Sequence, residues 1–208
     1  MKNYLVEFPL EYCALRFLLQ WLRSEEALYQ AIALSPSDQD IRNALAYFQV
    51  SRNFKGLSSQ PGKVAFIRKA LVSVRGKKIL SPEEKVEKLT QCLEGEFKKF
   101  NLSAASKLLW LSFREPFVIY DKRAVDALSK KLRRKFPRRD YAAYSAAWRS
   151  EYAAVESQIE YAASQLPKGR IFMPSCRLTD QELLQLAKSP WFKERVFDIF
   201  LWEVGGDG

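Results

Sequence analysis

The chain has 208 residues, with 34 Lys and Arg against 24 Asp and Glu, a formal net charge of +10 and no histidine. The missing histidine excludes Ser-His-Asp and Cys-His nucleophile systems, a histidine general base and histidine-ligated zinc. With 48% hydrophobic and 13% aromatic residues, the composition is that of a globular protein with a sizeable core.

Helix-forming patterns dominate the chain, because apolar residues recur at helical spacing and no convincing run alternates with the period of a strand. We predict helices over residues 10–32, 37–51, 63–74, 81–100, 103–113, 121–135 and 140–164, and two more that begin at 179 and 190. Three helix starts carry a capping pattern: Ser37 with Asp40, Ser81 with Glu84, and Thr179 with Glu182. We therefore expect an all-α fold, a compact multi-helix domain of about eight or nine helices.

The domain organisation is predicted from the distribution of charge along the chain. Residues 1–60 carry no net charge and are expected to form an N-terminal helical part packed on a core of residues 61–208, all as one compact unit. One aromatic and apolar stripe runs along the helix over 140–164: Tyr141, Tyr144, Trp148, Tyr152, Val155 and Ile159. We interpret this stripe as core rather than as a platform for stacking bases. The tail, residues 205–208, is expected to fray.

The three cysteines, Cys13, Cys92 and Cys176, are far apart in the sequence. They form no CxxC pair and cannot complete a four-cysteine iron–sulfur centre, so we expect free thiols, no metal and no cofactor. Such sparse cysteines indicate a reducing compartment. No segment has the roughly 18 apolar residues of a membrane span, and residues 1–9 lack the pattern of a signal peptide. We expect a cytoplasmic monomer without membrane contact.

The positive charge is concentrated in the middle of the chain. Residues 61–140 hold 21 basic and 9 acidic side chains, whereas the flanking segments are neutral or slightly acidic. Seven cations fall within residues 130–139: Lys130, Lys131, Arg133, Arg134, Lys135, Arg138 and Arg139. This density favours a nucleic-acid partner. A solvated helix end, an acidic membrane or an acidic protein are the alternatives.

Residues 101–128 carry the chemically informative pattern. A predicted helix is followed by Pro116, an apolar run over 117–120, and Asp121 at the start of a basic helix. A carboxylate at that position accepts hydrogen bonds from free backbone N–H groups and is favoured by the helix dipole. The plain structural interpretation is that Asp121 is only an N-cap.

The order Phe113-Arg114-Glu115-Pro116, the apolar run and then Asp121-Lys122-Arg123 resembles the helix-hairpin-helix DNA glycosylase superfamily, in its divergent bacterial 8-oxoguanine glycosylase-like branch. The resemblance covers residues 101–128 of the chain. It implies a glycosylase-like helical core, DNA as partner and Asp121 as the catalytic carboxylate. The implied reaction is hydrolysis of the N-glycosidic bond of a flipped modified or damaged base, with phage defence as one role to test.

The chain departs from this family at the hairpin. The family turn is apolar–Pro–Gly–x–Gly and binds phosphate through its amides, whereas residues 100–105 here contain no glycine. We expect Ser103 and Ser106, at the start of the next helix, to bind phosphate instead. Bifunctional members carry a catalytic lysine where Ser103 stands, and Lys107 lies one helical turn further on. The resemblance therefore implies a monofunctional glycosylase.

The remaining roles are assigned by residue type. Candidate walls of a base pocket are Trp110, Phe117, Tyr120 and Trp148, although residue type alone favours core packing for each of them. Lys107 could bind phosphate, pair with Asp121 or be an ordinary solvated helix residue. The cations assigned to the DNA backbone are Lys122, Arg123, Lys130, Lys131, Arg133, Arg134, Arg138 and Arg139. The alternatives are a non-catalytic nucleic-acid-binding protein on a glycosylase-like scaffold, and a helical module for an acidic protein.

Overall fold

A computed structural model describes residues 9–206 of the chain, apart from the side chain of Pro61. Most of the segment in which no signal peptide was expected, residues 1–8, lies outside the described residues, as do residues 207 and 208 of the tail. The described residues form helices and no strand, so the all-α prediction is confirmed. None of these helices combines the length and the apolar character of a membrane span.

Eleven α-helices follow one another along residues 9–206. They are α1 (Leu10–Gln20), α2 (Glu26–Leu34), α3 (Asp38–Tyr47), α4 (Pro61–Arg75), α5 (Pro82–Phe97), α6 (Leu102–Phe113), α7 (Lys122–Leu132), α8 (Tyr141–Ala153), α9 (Glu156–Ser164), α10 (Asp180–Lys188) and α11 (Pro190–Val204). A π-helical stretch, Trp21–Glu25, joins α1 to α2, and 3-10 helices cover Ser51–Asn53 and Leu166–Phe172.

The predicted number of helices, eight or nine, was too low because two predicted helices are each divided. The helix expected over 10–32 contains the π-helical stretch, which widens one turn and separates α1 from α2. The helix expected over 140–164 is interrupted at Val155, whose φ of −125° and ψ of 4° leave the helical region. The apolar pattern continues through both interruptions, so side-chain periodicity does not reveal them.

The predicted helix starts are confirmed, since the capping chemistry is local. Three reciprocal capping boxes are formed by Ser37 with Asp40, Ser81 with Glu84, and Thr179 with Glu182. Each box supplies partners for backbone N–H groups that the first turn of a helix leaves unpaired. At the start of α8 the carboxylate of Asp140 accepts a hydrogen bond from the amide of Ala143 at 2.8 Å.

Contacts along the chain define two compact units, each made of separate segments. Of the described residues, unit 1 comprises 9–24, 121–136 and 146–206, and unit 2 comprises Glu25–Tyr120 and Pro137–Ser145. Residues 1–60, which the charge pattern sets apart, are therefore shared: 9–24 belong to unit 1 and 25–60 to unit 2. Helix α8 begins in unit 2 and ends in unit 1.

Unit 1 is organised around α11, which packs against α1, α7, α9 and α10. The ring of Phe17 on α1 lies 4.9 Å from that of Phe192 and 6.1 Å from that of Trp191. The face of α11 predicted to point inward is buried, as expected: Phe192, Val196, Ile199 and Phe200. Helix α11 is thus a core helix that carries several charged residues, and those charges need partners inside the unit.

Unit 2 is organised around α6, which packs against α2, α4 and α5. Every residue of α6 except Ser103 and Phe113 is buried, so this helix has no solvent-facing side. Arg75 closes the end of α2 by donating hydrogen bonds to the carbonyl oxygens of Ile32, at 2.6 Å, and Ala33. The guanidinium thereby supplies partners for carbonyl groups that a helix end leaves unpaired.

The stripe on α8 and α9 is core, as predicted. Five of its members are buried: Tyr141, Tyr144, Trp148, Val155 and Ile159. Tyr152 is half-buried. The tyrosines at 141 and 144 belong to unit 2, and the residues from Trp148 onward belong to unit 1.

The three cysteines are free thiols, as predicted. Cys13 is fully buried in unit 1, whereas Cys92 and Cys176 are partly exposed. Burial raises the pKa of the Cys13 thiol to about 12. This thiol therefore stays protonated at neutral pH and behaves as a small apolar core residue.

Candidate functional site

The backbone leading to Asp121 is a segment without helix or strand, residues 117–120, that belongs to unit 2. Phe117, Val118 and Ile119 are each less than 5% exposed. Buried backbone N–H and C=O groups need hydrogen-bond partners, and helices or sheets usually supply them. In this segment the N–H of Phe117 donates to the backbone carbonyl oxygen of Arg114 at 3.1 Å, and side-chain hydroxyls bind backbone groups of the three residues that follow.

A single hydroxyl group satisfies both backbone groups of Val118. The hydroxyl of Tyr141 accepts a hydrogen bond from the N–H of Val118 at 3.1 Å and donates one to its carbonyl oxygen at 2.7 Å. The hydroxyl of Tyr144, one turn further along α8, donates to the carbonyl oxygen of Ile119 at 3.0 Å. A phenol hydroxyl can serve as donor and acceptor at once, which explains why tyrosine suits this position.

Ser106 completes the set of bonds to the segment. Its Oγ accepts a hydrogen bond from the N–H of Tyr120 at 2.9 Å and donates to the carbonyl oxygen of Ser103 at 3.2 Å. We call the hydroxyls of Ser106, Tyr141 and Tyr144 the hydroxyl clamp. The side chain of Ser106 is fully buried, so in this geometry its hydroxyl holds backbone inside unit 2 and does not face a phosphate in solvent.

Asp121 follows directly in the chain and begins the α7 part of unit 1. Its backbone is extended, with φ −130° and ψ 142°, and its Oδ1 accepts a hydrogen bond from the N–H of Arg123 at 3.1 Å. The prediction that Asp121 caps α7 is confirmed. The residue is only half-buried, so its carboxylate combines a fixed backbone with access to solvent.

A second carboxylate, Asp198 of α11, lies buried in unit 1. Its Oδ1 accepts a hydrogen bond from Nε1 of Trp148 at 2.9 Å, and its Oδ2 accepts one from Arg195 at 3.2 Å. Arg195 also lies over the ring of Phe17, 5.2 Å from its centroid. Trp148 therefore has a polar role that its place in the apolar stripe does not reveal.

Burial raises the pKa of Asp198 to about 6, although Arg195 and the hydrogen bond from Trp148 oppose the rise. The negative charge of Asp121 contributes to the same increase, so the two carboxylates of unit 1 influence one another. Sequence reasoning missed Asp198. The available signal was the presence of Lys193, Arg195 and Asp198 within the otherwise apolar helix α11, because buried charges require specific partners.

The first turn of α7 presents two of the cations assigned to DNA. The side chain of Lys122 is 89% exposed and pairs with Asp126 at 2.8 Å. Arg123 is exposed, with its guanidinium 3.9 Å from the centroid of the Trp202 ring. Both cations therefore have partners within unit 1. Both are exposed, and both directly follow Asp121 in the sequence.

The basic cluster is exposed throughout, but it is divided between the units. Unit 1 holds Lys130, Lys131, Arg133, Arg134 and Lys135, and unit 2 holds Arg138 and Arg139. Two members have acidic partners, since Lys131 pairs with Glu151 and Arg139 binds both carboxylate oxygens of Glu94, at 2.6 and 2.9 Å. A helix dipole accounts only for Lys130 and Lys131, because α7 ends at Leu132.

The aromatic residues assigned to a base pocket are mostly buried. Trp110 and Phe117 of unit 2 are 1% and 3% exposed, and Trp148 of unit 1 is 1% exposed. A base could stack on such rings only if the packing around them opened. Tyr120 is half-buried, and its ring meets that of Tyr144 edge-on with centroids 5.0 Å apart.

Lys107 and Ser103, both on α6, differ in exposure. Lys107 is 6% exposed, and its Nζ lies 5.5 Å from the centroid of the Phe48 ring. The interpretation of Lys107 as a solvated residue is therefore wrong, because α6 forms the centre of unit 2. Ser103, at the start of α6, is half-buried and is the more accessible of the two residues.

An open groove of about 380 Å³ lies elsewhere in unit 1. Its lining consists of Pro9, Leu10, Glu11, Ser157, Gln158 and Tyr161. It has one carboxylate, no cation and none of the residues singled out in the sequence. The groove therefore lacks the charge that a polyanionic ligand would need.

Comparisons with protein-family models, with curated proteins and with solved structures found no match for this chain. Function must therefore be inferred from the residues of the two units themselves.

The hydroxyl clamp predicts a specific loss of stability. Tyr141→Phe keeps the ring but leaves the buried N–H and C=O of Val118 without their partner, so we expect the free energy of unfolding to fall by about 2 kcal/mol. Tyr144→Phe removes one bond, to a carbonyl, and should cost about 1 kcal/mol. Urea unfolding at one pH measures both, with Tyr161→Phe at an exposed position as the control. Equal stability of Tyr141→Phe and wild type would contradict the clamp.

The buried carboxyl of Asp198 predicts a pH dependence. Its pKa is about 6 in the folded chain against an ordinary value of 3.8, so the folded state binds this proton more tightly than the unfolded state. The stability that it contributes is present below pH 3.8 and is lost as the pH rises through about 6. Asp198→Asn keeps an acceptor for Trp148 and cannot titrate.

We therefore expect Asp198→Asn to be more stable relative to wild type at pH 7 than at pH 4. Urea unfolding of both proteins at several pH values between these limits measures the difference directly. A difference in unfolding free energy that stays constant across this range would show that Asp198 does not titrate as described.

Proposed function

We propose that the chain is a monofunctional DNA glycosylase with a helix-hairpin-helix type core, which hydrolyses the N-glycosidic bond of a flipped modified or damaged base. The observation that carries this proposal is the setting of Asp121. It is a half-buried carboxylate fixed at the N-terminus of α7, and it directly follows a segment whose backbone is bonded to three side-chain hydroxyls. The order of α6, turn, apolar segment and Asp121 is the order that the family resemblance implies.

The chemistry requires a carboxylate and water. Breaking an N-glycosidic bond generates positive charge on the sugar, as in glycoside hydrolysis. A carboxylate held beside the anomeric carbon stabilises that charge and can orient or deprotonate the attacking water. Because the amide of Arg123 fixes one oxygen of Asp121, little reorganisation is needed when the charge develops. Neither histidine nor a metal ion takes part in these steps.

Asp121 suits this role better than Asp198, although both belong to unit 1. Asp198 is 7% exposed, and each of its oxygens already accepts a hydrogen bond from Trp148 or Arg195. A substrate could reach it only by displacing these partners. Asp121 is accessible, so we assign to it the contact with the sugar and to Asp198 an internal electrostatic role.

The absence of a lyase step is supported by the environment of Lys107. A lyase needs an amine that can attack the sugar carbon. Lys107 is buried in unit 2 beside the ring of Phe48, and Ser103 occupies the position where bifunctional members carry lysine. We therefore assign water as the nucleophile.

DNA is the polyanion that we assign to the exposed cations. Lys122 and Arg123 lie next to Asp121 in the first turn of α7, and Lys130 and Lys131 lie in the last turn of the same helix. Contacts of this kind bind phosphates and position the duplex without reading sequence. The base itself enters a pocket after leaving the stack.

A second candidate function is nucleic-acid binding without catalysis. It is favoured by the burial of the aromatic residues that would form pocket walls, and by the fact that Asp121 already has a structural role as an N-cap. Both candidate functions use the same exposed cations to bind DNA. They differ only in whether the protein then releases a base.

Asp121→Asn separates the two candidates. Asparagine caps helices as well as aspartate does, so the fold should persist while the carboxylate is lost. We expect the rate of base release to fall by at least about 100-fold with DNA affinity unchanged. The assay is incubation with phage DNA and with oligonucleotides carrying base lesions, followed by alkali cleavage at abasic sites. Asp140→Asn, the same change at the N-cap of α8, is the matched control.

Full base release by Asp121→Asn and by Asp121→Ala would contradict the proposed mechanism. Salt-sensitive DNA binding by the wild type, without base release from any of these substrates, would instead establish the second candidate.

The basic cluster predicts a change in the salt dependence of binding. Replacing Arg133, Arg134, Arg138 and Arg139 by alanine should abolish binding at physiological salt and lower the slope of log K against log salt by about 3.6. A control with the same change of net charge replaces exposed lysines elsewhere: Lys55, Lys77, Lys78 and Lys88. Fluorescence anisotropy with a labelled duplex measures both. Equal loss of affinity in the two variants would show that net charge, and not this cluster, determines binding.

A further inference from the structure

Gly205, directly after α11, has an ordinary backbone conformation. Its φ of −81° and ψ of −6° are open to any residue, and its N–H donates a hydrogen bond to the carbonyl oxygen of Leu201 at 3.0 Å. The next residue, Gly206, is bonded in the same way to Glu203 at 3.0 Å. Both glycines, which lie in the tail expected to fray, therefore make backbone hydrogen bonds in the structure. Conformational freedom also does not explain why residue 205 is glycine.

Residue 205 is glycine because the backbone of another helix lies too close to leave room for a side chain. A Cβ atom at position 205 would lie 2.0 Å from the carbonyl oxygen of Arg123, 2.6 Å from its carbonyl carbon and 3.0 Å from its Cα. These are backbone atoms in the first turn of α7, and they cannot move aside as the end of a long side chain can. Within unit 1 the end of α11 thus packs backbone to backbone on the start of α7, which only glycine permits.

Arg123 is held from a second direction by its side chain. Its guanidinium lies 3.9 Å from the centroid of the Trp202 ring on α11, and the guanidinium of Arg16 lies 4.9 Å from the same centroid. Cations stacked on an indole ring are attracted to its face. Residues 202 and 205 of one helix end therefore contact the side chain and the backbone of the same residue.

Arg123 is also the residue whose amide binds Asp121. The hydrogen bond from the N–H of Arg123 to Oδ1 of Asp121 fixes the carboxylate that we assign to the reaction. A displacement of the Arg123 backbone must therefore change the position of this oxygen or break its hydrogen bond.

We propose that Gly205 is a positioning residue for Asp121: its missing side chain lets the end of α11 fix the first turn of α7, and with it the candidate catalytic carboxylate. The catalytic half of this inference rests on the proposed glycosylase function. The structural half, the fixing of the turn, does not depend on it.

The test compares three glycine-to-alanine variants of the full chain. Gly205→Ala places a methyl group against the Arg123 backbone. Gly62→Ala, in the first turn of α4, is one control, because a Cβ there would meet no atom within 4 Å. Gly95→Ala, inside α5, has no atom within 4 Å of the new Cβ and controls for the substitution itself.

The first measurement is amide hydrogen exchange, which needs no substrate. For the amides of Arg123 and Val125, which donate to the side chain and the carbonyl oxygen of Asp121, we expect exchange at least tenfold faster in Gly205→Ala and unchanged in both controls. If Gly205→Ala does not fold, Trp202→Leu replaces it, because this change removes the ring under Arg123 without adding an atom near the backbone. It should raise exchange at the same amides. Exchange at wild-type rates in the folded variant would overturn the inference.

The second measurement is the single-turnover rate of base release, together with the dissociation constant for DNA. We expect Gly205→Ala to lower the rate at least tenfold while the dissociation constant stays within a factor of two, and both controls to match wild type. Equal losses in rate and affinity would indicate general damage and overturn the positioning role. If wild type releases no base while exchange responds as expected, the proposed function fails and the fixing of the turn stands.

Discussion

The connection between α6 and α7 depends on the hydroxyl of Tyr141, which binds both backbone groups of Val118. A buried segment outside helix and strand would otherwise leave this N–H and this C=O unpaired, and each such group is costly in an apolar core. In the same way, the hydroxyl of Tyr144 donates to the carbonyl oxygen of Ile119, and Oγ of Ser106 accepts a hydrogen bond from the N–H of Tyr120. The chain can therefore pass through a dry environment in a non-helical conformation and reach Asp121 with a defined backbone.

Asp121 and Asp198, two carboxylates of unit 1, differ in their exposure and in their hydrogen-bond partners. Asp121 remains half-exposed with one oxygen on a backbone amide, whereas Asp198 is buried between Trp148 and Arg195 and has its pKa raised to about 6. The accessible carboxylate is the one that can meet a sugar, whereas the buried one is enclosed by its partners inside unit 1. The backbone of Arg123 packs on Gly205, and its guanidinium lies over the ring of Trp202. Arg123 therefore links the position of Asp121 to the end of α11.

The sequence predicts features that depend on neighbours along the chain and misses those that depend on distant partners. The capping pair Ser81 and Glu84, the cap at Asp121 and the inward face of α11 were all predictable, because each rests on residues within one or two turns. The burial of Lys107 under Phe48 was not, since helical periodicity says nothing about a partner on another helix. The partner of Asp198 is Trp148, 50 residues earlier. The close contact of Gly205 was not predictable either, because its partner Arg123 belongs to α7.

The most direct test of the hydroxyl clamp is residue-resolved amide hydrogen exchange at Val118 and Tyr120 in the wild-type chain. Their amides donate to side-chain hydroxyls rather than to a helix or sheet. If these bonds define the backbone before Asp121, both amides should be protected as strongly as the buried amides of α6, because they open only when unit 2 unfolds. Exchange at the rate of an exposed loop would show that the segment is not held and would contradict the hydroxyl clamp.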